Sequence, residues 1–135
     1  MELEQITEKI IGCALRVHTE LGPGLLEGVY ETCLKHELVK AGMRVRAQVP
    51  LPINYDGIRF DSVYKLDLLV EEQVVVELKA VEQALDVHKA QVISYLKLGG
   101  YPVGLLINFN VVHLRDGIRR LVNRPKASVA SVSSL

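Results

Sequence analysis

The stretch from Lys65 to Lys79 reads KLDLLVEEQVVVELK, and most of the architecture follows from it. Two apolar runs, residues 66–70 and 74–78, are rich in residues that favour strands, and three polar residues separate them. This pattern predicts a β-hairpin. A three-residue loop would place Asp67 directly opposite Glu77 with both side chains on one face, whereas a two-residue turn would send them to opposite faces.

Lys79 lies two residues after Glu77 and therefore points to the same face of the strand. The three-residue loop thus puts two carboxylates and an ammonium on one face. The alternate apolar residues would point the other way into the core and leave the charges on an outer face: Leu66, Leu68, Val74, Val76 and Leu78. Carboxylates about 5 Å apart repel each other unless a cation lies between them. Because Mg²⁺ is commonly held by one or two carboxylates with water and substrate phosphate, the face suggests phosphodiester chemistry. An exposed hairpin with alternating charges is the other interpretation.

The composition is that of a globular chain. The sequence has 135 residues, of which 49% are hydrophobic, and it lacks the long apolar run of a membrane span. Its start, MELEQ, is acidic, whereas a secretory leader begins with basic residues. Cys13 and Cys33 have no metal-ligand spacing and no activating neighbour, so we expect two buried thiols in a reducing cytoplasm. We therefore expect a single cytoplasmic domain over residues 1–122 with no membrane partner.

The charges are unevenly distributed although the formal net charge is zero. Near the C-terminus one acid, Asp116, stands among five bases: Arg115, Arg119, Arg120, Arg124 and Lys126. Such a bias permits contact with a phosphate backbone, and it also fits a solvated basic face.

Hydrophobic periodicity predicts two helices before the first strand. Residues 3–21 carry apolar positions at intervals of three and four, and a Gly-Pro-Gly segment ends that helix. A second helix is expected over residues 25–41, with Val29, Cys33, Leu34 and Leu38 buried. Glu27 lies in its first turn and Tyr30 one turn later on nearly the same face, where an acid also stabilises the helix dipole.

The remaining elements follow in order. Residues 44–54 read as a strand that Pro50 and Pro52 confine to an edge or a bulge, and residues 58–70 as a long strand entering the hairpin. A helix is expected over residues 86–98 with Asp86 as its N-cap, then a buried strand over residues 103–109. Residues 111–114 suggest a short strand and residues 117–122 a helical turn or two. Residues 123–135 are expected to form a disordered tail.

Three motifs of the sequence resemble those of a known family. Asp67 followed ten residues later by Glu-x-Lys is similar to the core motif of the PD-(D/E)XK nuclease superfamily, and Gln91-x-x-x-Tyr95 resembles the motif of its RecB-like branch. Residues 24–30, GLLEGVY, match the G-x-x-E-x-x-Y signature of the GxxExxY proteins assigned to that superfamily. The resemblance implies an α/β (α+β) fold with an αβββαβ core and a mixed sheet, here preceded by one extra helix.

The resemblance also implies a site. Asp67 and Glu77 would bind Mg²⁺ or Mn²⁺, with the Leu78 carbonyl and Glu27 completing the metal site. Lys79 would hold the attacking water or the transition-state charge. Gln91 and Tyr95 would steady Lys79 and the substrate phosphate, while the candidates for substrate contact are Tyr30, Lys89 and His88. The proline that usually precedes the first acid is replaced by Leu66, but that proline is not a ligand.

Two functions remain open at this point. One is a metal-dependent nuclease acting on DNA or RNA. The other is a catalytically silent nucleic-acid-binding or assembly module that keeps the nuclease fold. The chain is small for gripping a duplex, and a homodimer would supply the missing surface.

Overall fold

The computed structural model describes residues 1–124, which form three helices and a five-stranded sheet. The strands lie in the order β1-β2-β3-β4-β5; β3 and β4 are parallel and the other neighbours antiparallel. The mixed α+β sheet agrees with the predicted core and adds a fifth strand. In chain order the elements are α1 (Leu3–Leu21), α2 (Glu27–Lys40), β1 (Val45–Tyr55), β2 (Ile58–Val70), β3 (Val74–Lys79), α3 (Asp86–Gly99), β4 (Val103–Asn108), a 3-10 helix (Leu114–Gly117) and β5 (Ile118–Val122).

The hairpin has the predicted three-residue loop. Val70 pairs with Val74 and Leu68 with Val76, so the same register places Asp67 opposite Glu77. Glu71 and Glu72 adopt left-handed φ angles of 52° and 54°, and the Gln73 N–H donates to the Val70 carbonyl across 3.0 Å. Two successive residues with left-handed φ angles reverse the chain direction within the three-residue loop.

Two apolar clusters pack on opposite faces of the sheet. Helices α1 and α2 cover one face, where Ile10, Leu34 and Leu78 are fully buried. Helix α3 covers the other, where Val92 and Leu96 pack against the sheet. The parallel β3–α3–β4 connection requires a crossover, and this crossover lays α3 over the face that carries Glu77. The expectation that the charged residues lie on an outer face is therefore wrong for Glu77, which is only 5% exposed.

Strands β1 and β2 change faces where they cross the candidate site. The ladder skips the pair of Gln48 and Asp67, and Gln48 has a left-handed φ of 52°; a second irregularity shifts the register between Leu51 and Ile53. As a result Leu68 packs in the cluster under α1 and α2, whereas Leu66 packs under α3. The predicted common face of Leu66 and Leu68 is wrong, because strict alternation does not survive an irregular residue.

The buried face of helix α2 matches the predicted one in part: Leu34 and Leu38 are buried as predicted, whereas Val29 is exposed and Cys33 only partly buried. Tyr30, Leu34 and Leu38 are fully buried, whereas Val29 is 40% exposed. The helix begins at Glu27, which is exposed, so Glu27 and Tyr30 do not share an environment. In α3 the N-cap is Leu85 rather than Asp86, which is the first helical residue.

The C-terminal part departs most from the prediction. Residues 111–114 form no strand, and Ile118–Val122 is a strand paired with β4, not a helical turn. A Cβ on Gly117 would collide with the Asn108 carbonyl oxygen, so the glycine allows the chain to pass close to β4 before β5 begins. Asn123 is anchored, since its side chain donates to the carbonyls of Leu96 and Tyr101. The remainder of the predicted tail, residues 125–135, lies outside the described residues.

Candidate functional site

Asp67 and Glu77 face each other across the β2–β3 hairpin and are tied by main-chain hydrogen bonds. The Asp67 N–H donates to Oε1 of Glu77 across 3.3 Å, and Oδ2 of Asp67 accepts the N–H of Leu78 across 2.9 Å. Each carboxylate is therefore held by the backbone of the opposite strand. This arrangement fixes two oxygen-rich groups at the same point of a rigid hairpin.

Burial makes the Glu77 carboxyl costly to ionise. Desolvation, with the adjacent Asp67 carboxyl as the next cause, raises the pKa of Glu77 to about 10, while Lys79 opposes the shift. In the metal-free protein at neutral pH the pair therefore holds one proton. A divalent cation would replace that proton, because a cation favours the ionised form of both groups.

Lys79 ends β3 beside the carboxylate pair, where it is half-buried. Its charge acts on the carboxyls of Glu77 and Glu27, yet within residues 1–124 it forms no ion pair. An ammonium placed among acids without a fixed partner is available to a phosphate or an attacking water.

Asn108 holds the chain that follows Lys79 in place, a role that the sequence analysis did not identify. It lies opposite Lys79 in the β3–β4 ladder and is 2% exposed. Its side-chain oxygen accepts the Val81 N–H across 3.1 Å, and its amide donates to the Val81 carbonyl across 2.9 Å. The Phe109 N–H donates to the Lys79 carbonyl across 2.9 Å. A polar residue ending a strongly apolar strand was the available signal.

The loop before α2 presents Glu27 to the site. Gly24 adopts a φ of 95°, which favours glycine, and the Tyr30 hydroxyl donates to the Gly22 carbonyl across 2.6 Å. The same hydroxyl accepts the Leu25 N–H across 3.1 Å. The signature thus combines a glycine that permits the turn, a tyrosine that anchors it and a glutamate at the helix start.

Tyr30 itself cannot contact a substrate, so that prediction is wrong. The residue is fully buried, its hydroxyl is satisfied by the loop, and its ring stacks on Phe109 with centroids 4.6 Å apart. Helix α2 turns this position toward α1 and the sheet.

The Glu27 carboxyl lies within electrostatic reach of the hairpin charges. Partial burial raises its pKa, Lys79 lowers it, Asp67 raises it and His88 lowers it. Glu27 is thus close enough to sense the hairpin and the start of α3, although the residue is exposed.

Glu31 is a further acid at this site that the sequence analysis did not identify. Burial raises its pKa, the hydrogen bond from Gln48 lowers it, and the charges of Asp67 and Glu27 raise it. The Gln48 amide donates to its Oε1 across 2.9 Å. Two like charges four residues apart on a helix are destabilising, so the Glu27–Glu31 spacing was a readable signal.

Helix α3 contributes Gln91 and Tyr95 from the other side. Both line an apolar groove together with Tyr64. Burial raises the pKa of Tyr95, and the charges of Glu77, Tyr64 and Asp67 raise it further, so its phenol lies near the carboxylate pair. Gln91 and Tyr95, both predicted on this helix, therefore lie along one border of the site.

His88 and Lys89 lie at the start of α3. Nδ1 of His88 accepts the Leu85 N–H across 3.1 Å, so the neutral ring carries its proton on Nε2 and can donate there. Lys89 pairs with Asp86 across 3.5 Å and lines a polar pocket that also includes Asn108. His88 is the better placed of the two relative to the carboxylates, because its charge acts on Glu27.

Comparison with known proteins adds the family. A family model described as the PD-(D/E)XK nuclease superfamily matches residues 4–121. The chain belongs to the PD-(D/E)XK nuclease superfamily. A comparison with curated proteins gave no match. A solved structure titled "Crystal structure of SSO0001" is similar at 16% identity and a TM-score of 0.40, over 96% of this chain and 71% of that one. So weak a likeness adds nothing to the assignment.

Superfamily membership makes a divalent cation the expected cofactor, and the donor set is consistent with one. The paired carboxyls of Asp67 and Glu77 are the hard oxygen ligands that Mg²⁺ and Mn²⁺ prefer, and Mg²⁺ commonly takes only one or two carboxylates. Among residues 1–124 no group of three or more His, Cys, Asp or Glu side chains is close enough to bind a metal ion. Water and substrate oxygens would have to fill the remaining positions.

The superfamily also indicates a nucleic-acid substrate. Over the described residues no helix combines the length and apolar character that crossing a bilayer requires. The narrower resemblance to the GxxExxY proteins stays a prediction.

Proposed function

We propose that this protein is a Mg²⁺- or Mn²⁺-dependent nuclease that hydrolyses phosphodiester bonds in DNA or RNA. The observation that carries the proposal is the Asp67–Glu77 pair, in which Glu77 is buried and Asp67 partly buried, with Lys79 beside it, in a chain of a nuclease superfamily. Holding a buried carboxyl against a second one destabilises a protein that has no use for them, so the pair is best explained by a cation that binds between them.

Asp67 and Glu77 are the proposed metal ligands, with the carbonyl oxygen of Leu78 as a third. Glu27 would act through a water, because the residue is exposed and senses the hairpin charges at a distance. When bound, the cation supplies charge that polarises the phosphodiester and lowers the pKa of a water. Lys79 would position the attacking water or neutralise charge on the phosphate oxygens.

Residues of α3 would orient the substrate. The amide of Gln91 and the phenol of Tyr95 border the site on the groove side, and Nε2 of His88 can donate to a phosphate oxygen. Lys89 would contribute at longer range, since it already pairs with Asp86.

The test is incubation of the purified protein with labelled single-stranded, duplex and branched DNA and RNA. Each substrate is offered with EDTA, Mg²⁺ or Mn²⁺. We expect cleavage of at least one substrate with a metal and none with EDTA. Failure to cut any substrate of the panel, or equal cutting in EDTA, would overturn the proposal.

A catalytically silent module that binds nucleic acid or takes part in assembly is the second candidate. Such a module would bind nucleic acid equally well in EDTA and in Mg²⁺. A nuclease whose metal bridges protein and phosphate would bind more tightly with the metal present. Binding measured with Ca²⁺ in place of Mg²⁺ separates the two, because Ca²⁺ takes the same oxygen ligands.

A further inference from the structure

The β1–β2 hairpin extends beyond the body of the protein as an uncovered arm, residues 53–65. Every residue of β2 from Ile58 to Lys65 is exposed, whereas the strand is buried again at Leu66. The tip is a two-residue turn at Asp56 and Gly57, both with positive φ. A two-stranded ribbon with neither face covered is marginal in water, so the arm has surface to bury.

One face of the arm carries an apolar stripe. Tyr55 pairs with Ile58 and Ile53 with Phe60, while Leu51, two residues before Ile53, pairs with Tyr64 after a register shift with extra residues in β2. Because paired residues point to the same face and Leu51, Ile53 and Tyr55 alternate along β1, five side chains that we name the stripe share one face: Ile53, Tyr55, Ile58, Phe60 and Tyr64. Tyr55 is 70% exposed and Ile58 54%. The neighbouring Arg59 faces the other way and pairs with Asp61 across 2.6 Å.

The stripe leads into an apolar groove at the base of the arm. The groove lies between Tyr64 and helix α3, where the Tyr64 and Tyr95 ring centroids are 6.0 Å apart, and Leu98 on its rim is 45% exposed. A hydrophobic ridge and a hydrophobic groove thus lie side by side on one molecule.

The charge of the arm decides which partner fits. Asp56 and Asp61 balance Arg59 and Lys65, so the arm is neutral. A surface that binds nucleic acid by stacking is normally combined with an excess of cations that follow the phosphates, whereas the two cations of the arm are balanced by two acids and Arg59 is paired with Asp61. A neutral surface meets a copy of itself without net repulsion, and a two-fold axis lets each ridge enter the groove of the other molecule.

We propose that the stripe is a homodimer interface, in which the arm of each copy packs against the arm of a second copy and against Tyr64 and Leu98 at the rim of its α3 groove, so that Gln91 and Tyr95 keep the substrate role proposed above. The proposal does not depend on nuclease activity. Interfaces of this modest size are weak, so we expect association that depends on concentration.

The test is sedimentation equilibrium of the full chain over roughly 5 to 200 µM. We expect the mass of two chains at the upper end for the wild type and of one chain throughout for the Ile58→Ser/Phe60→Ser double variant. Val112→Ser is the matched control, because Val112 is also apolar and 78% exposed but lies outside the arm. It should associate as the wild type does. Melting curves check folding, and Tyr55→Ser is the substitute if the double variant does not fold.

Two results would overturn the proposal: a wild type that remains monomeric at every concentration, or a double variant that associates as strongly as the wild type. A monomeric wild type whose binding to unpaired oligonucleotides weakens in the double variant would assign the stripe to base stacking instead.

Discussion

The Asp67 N–H donates to the Glu77 carboxylate while the Asp67 carboxylate accepts the N–H of the residue after Glu77. Each strand of the hairpin thus holds the acid of the other. The donors of both hydrogen bonds are main-chain N–H groups of β2 and β3, so the sheet holds the two carboxyls close together. The free energy of this pair must therefore depend on protons and cations, and this dependence can be measured without a substrate.

The pH dependence of stability is the most direct consequence. In the folded metal-free protein the pKa of Glu77 is raised to about 10, whereas an unfolded Glu releases its proton near 4.5. Between these values the folded state binds more protons, so stability falls as pH rises, by at most about 1.4 kcal/mol per pH unit. We expect the melting temperature in EDTA to fall between pH 5 and pH 9, and Glu77→Gln to flatten that slope. Equal slopes in the two proteins would contradict the coupling.

Replacing Asp67 tests the metal directly. Asp67→Asn keeps an oxygen that can accept the Leu78 N–H but removes the charge that faces Glu77. We expect its melting temperature in EDTA to equal or exceed that of the wild type. Mn²⁺ at a hundredfold excess over its Kd stabilises a folded protein by about 2.7 kcal/mol, and the variant should lose most of that shift. Equal Mn²⁺-induced shifts in both proteins would eliminate Asp67 as a ligand.

The sequence predicted this pair because strand alternation and loop length are local rules. The three polar residues at 71–73 suggested the three-residue loop that places Asp67 opposite Glu77, and the structure has that loop rather than the two-residue alternative. The burial of Glu77 depended on where the β3–α3–β4 crossover lies, which no local pattern encodes. The prediction for Tyr30 was wrong for a similar reason. Residues three apart on a helix lie near one face, but in α2 Tyr30 is buried in the core and Glu27 is exposed to solvent.

The sequence analysis did not predict the C-terminal strand or the exposed arm, for different reasons. Residues 118–122 form a strand because they pair with β4, and Gly117 passes close to Asn108 just before that strand; both are contacts between segments that the sequence does not reveal. Apolar residues such as Ile58 and Phe60 normally indicate burial, so their exposure in one chain could not be predicted.

Lys79 should matter for turnover more than for binding. Lys79→Ala removes a charge that acts chiefly in the transition state, so we expect turnover to fall by roughly 10² or more with little change in substrate affinity. Lys9→Ala removes the same charge from an exposed position on α1 and serves as the control. Single-turnover cleavage and filter binding provide the two readouts. Unchanged turnover in Lys79→Ala would refute its role.

Replacing Tyr30 and replacing Glu27, both in the GLLEGVY segment, should affect different properties of the protein. Tyr30→Phe leaves the Gly22 carbonyl and the Leu25 N–H without their partner and should lower stability by about 1–3 kcal/mol. Glu27→Gln should cost only a few tenths of a kcal/mol from the helix dipole, but should reduce turnover and the Mn²⁺-induced shift in melting temperature. A large loss of stability in Glu27→Gln with normal metal response would make Glu27 structural.

Asn108 should act on the site through the main chain that it holds. Asn108→Ala removes the partners of both Val81 main-chain groups, so we expect lower stability and, at a temperature well below unfolding, lower turnover because Lys79 is less well fixed. Asn123→Ala is the matched control, since its side chain also bridges main-chain groups, those of Leu96 and Tyr101, away from the carboxylates. Both variants should melt earlier, but only Asn108→Ala should show reduced turnover and a smaller Mn²⁺-induced shift. If both variants lose turnover in proportion to their stability, Asn108 contributes to the fold alone.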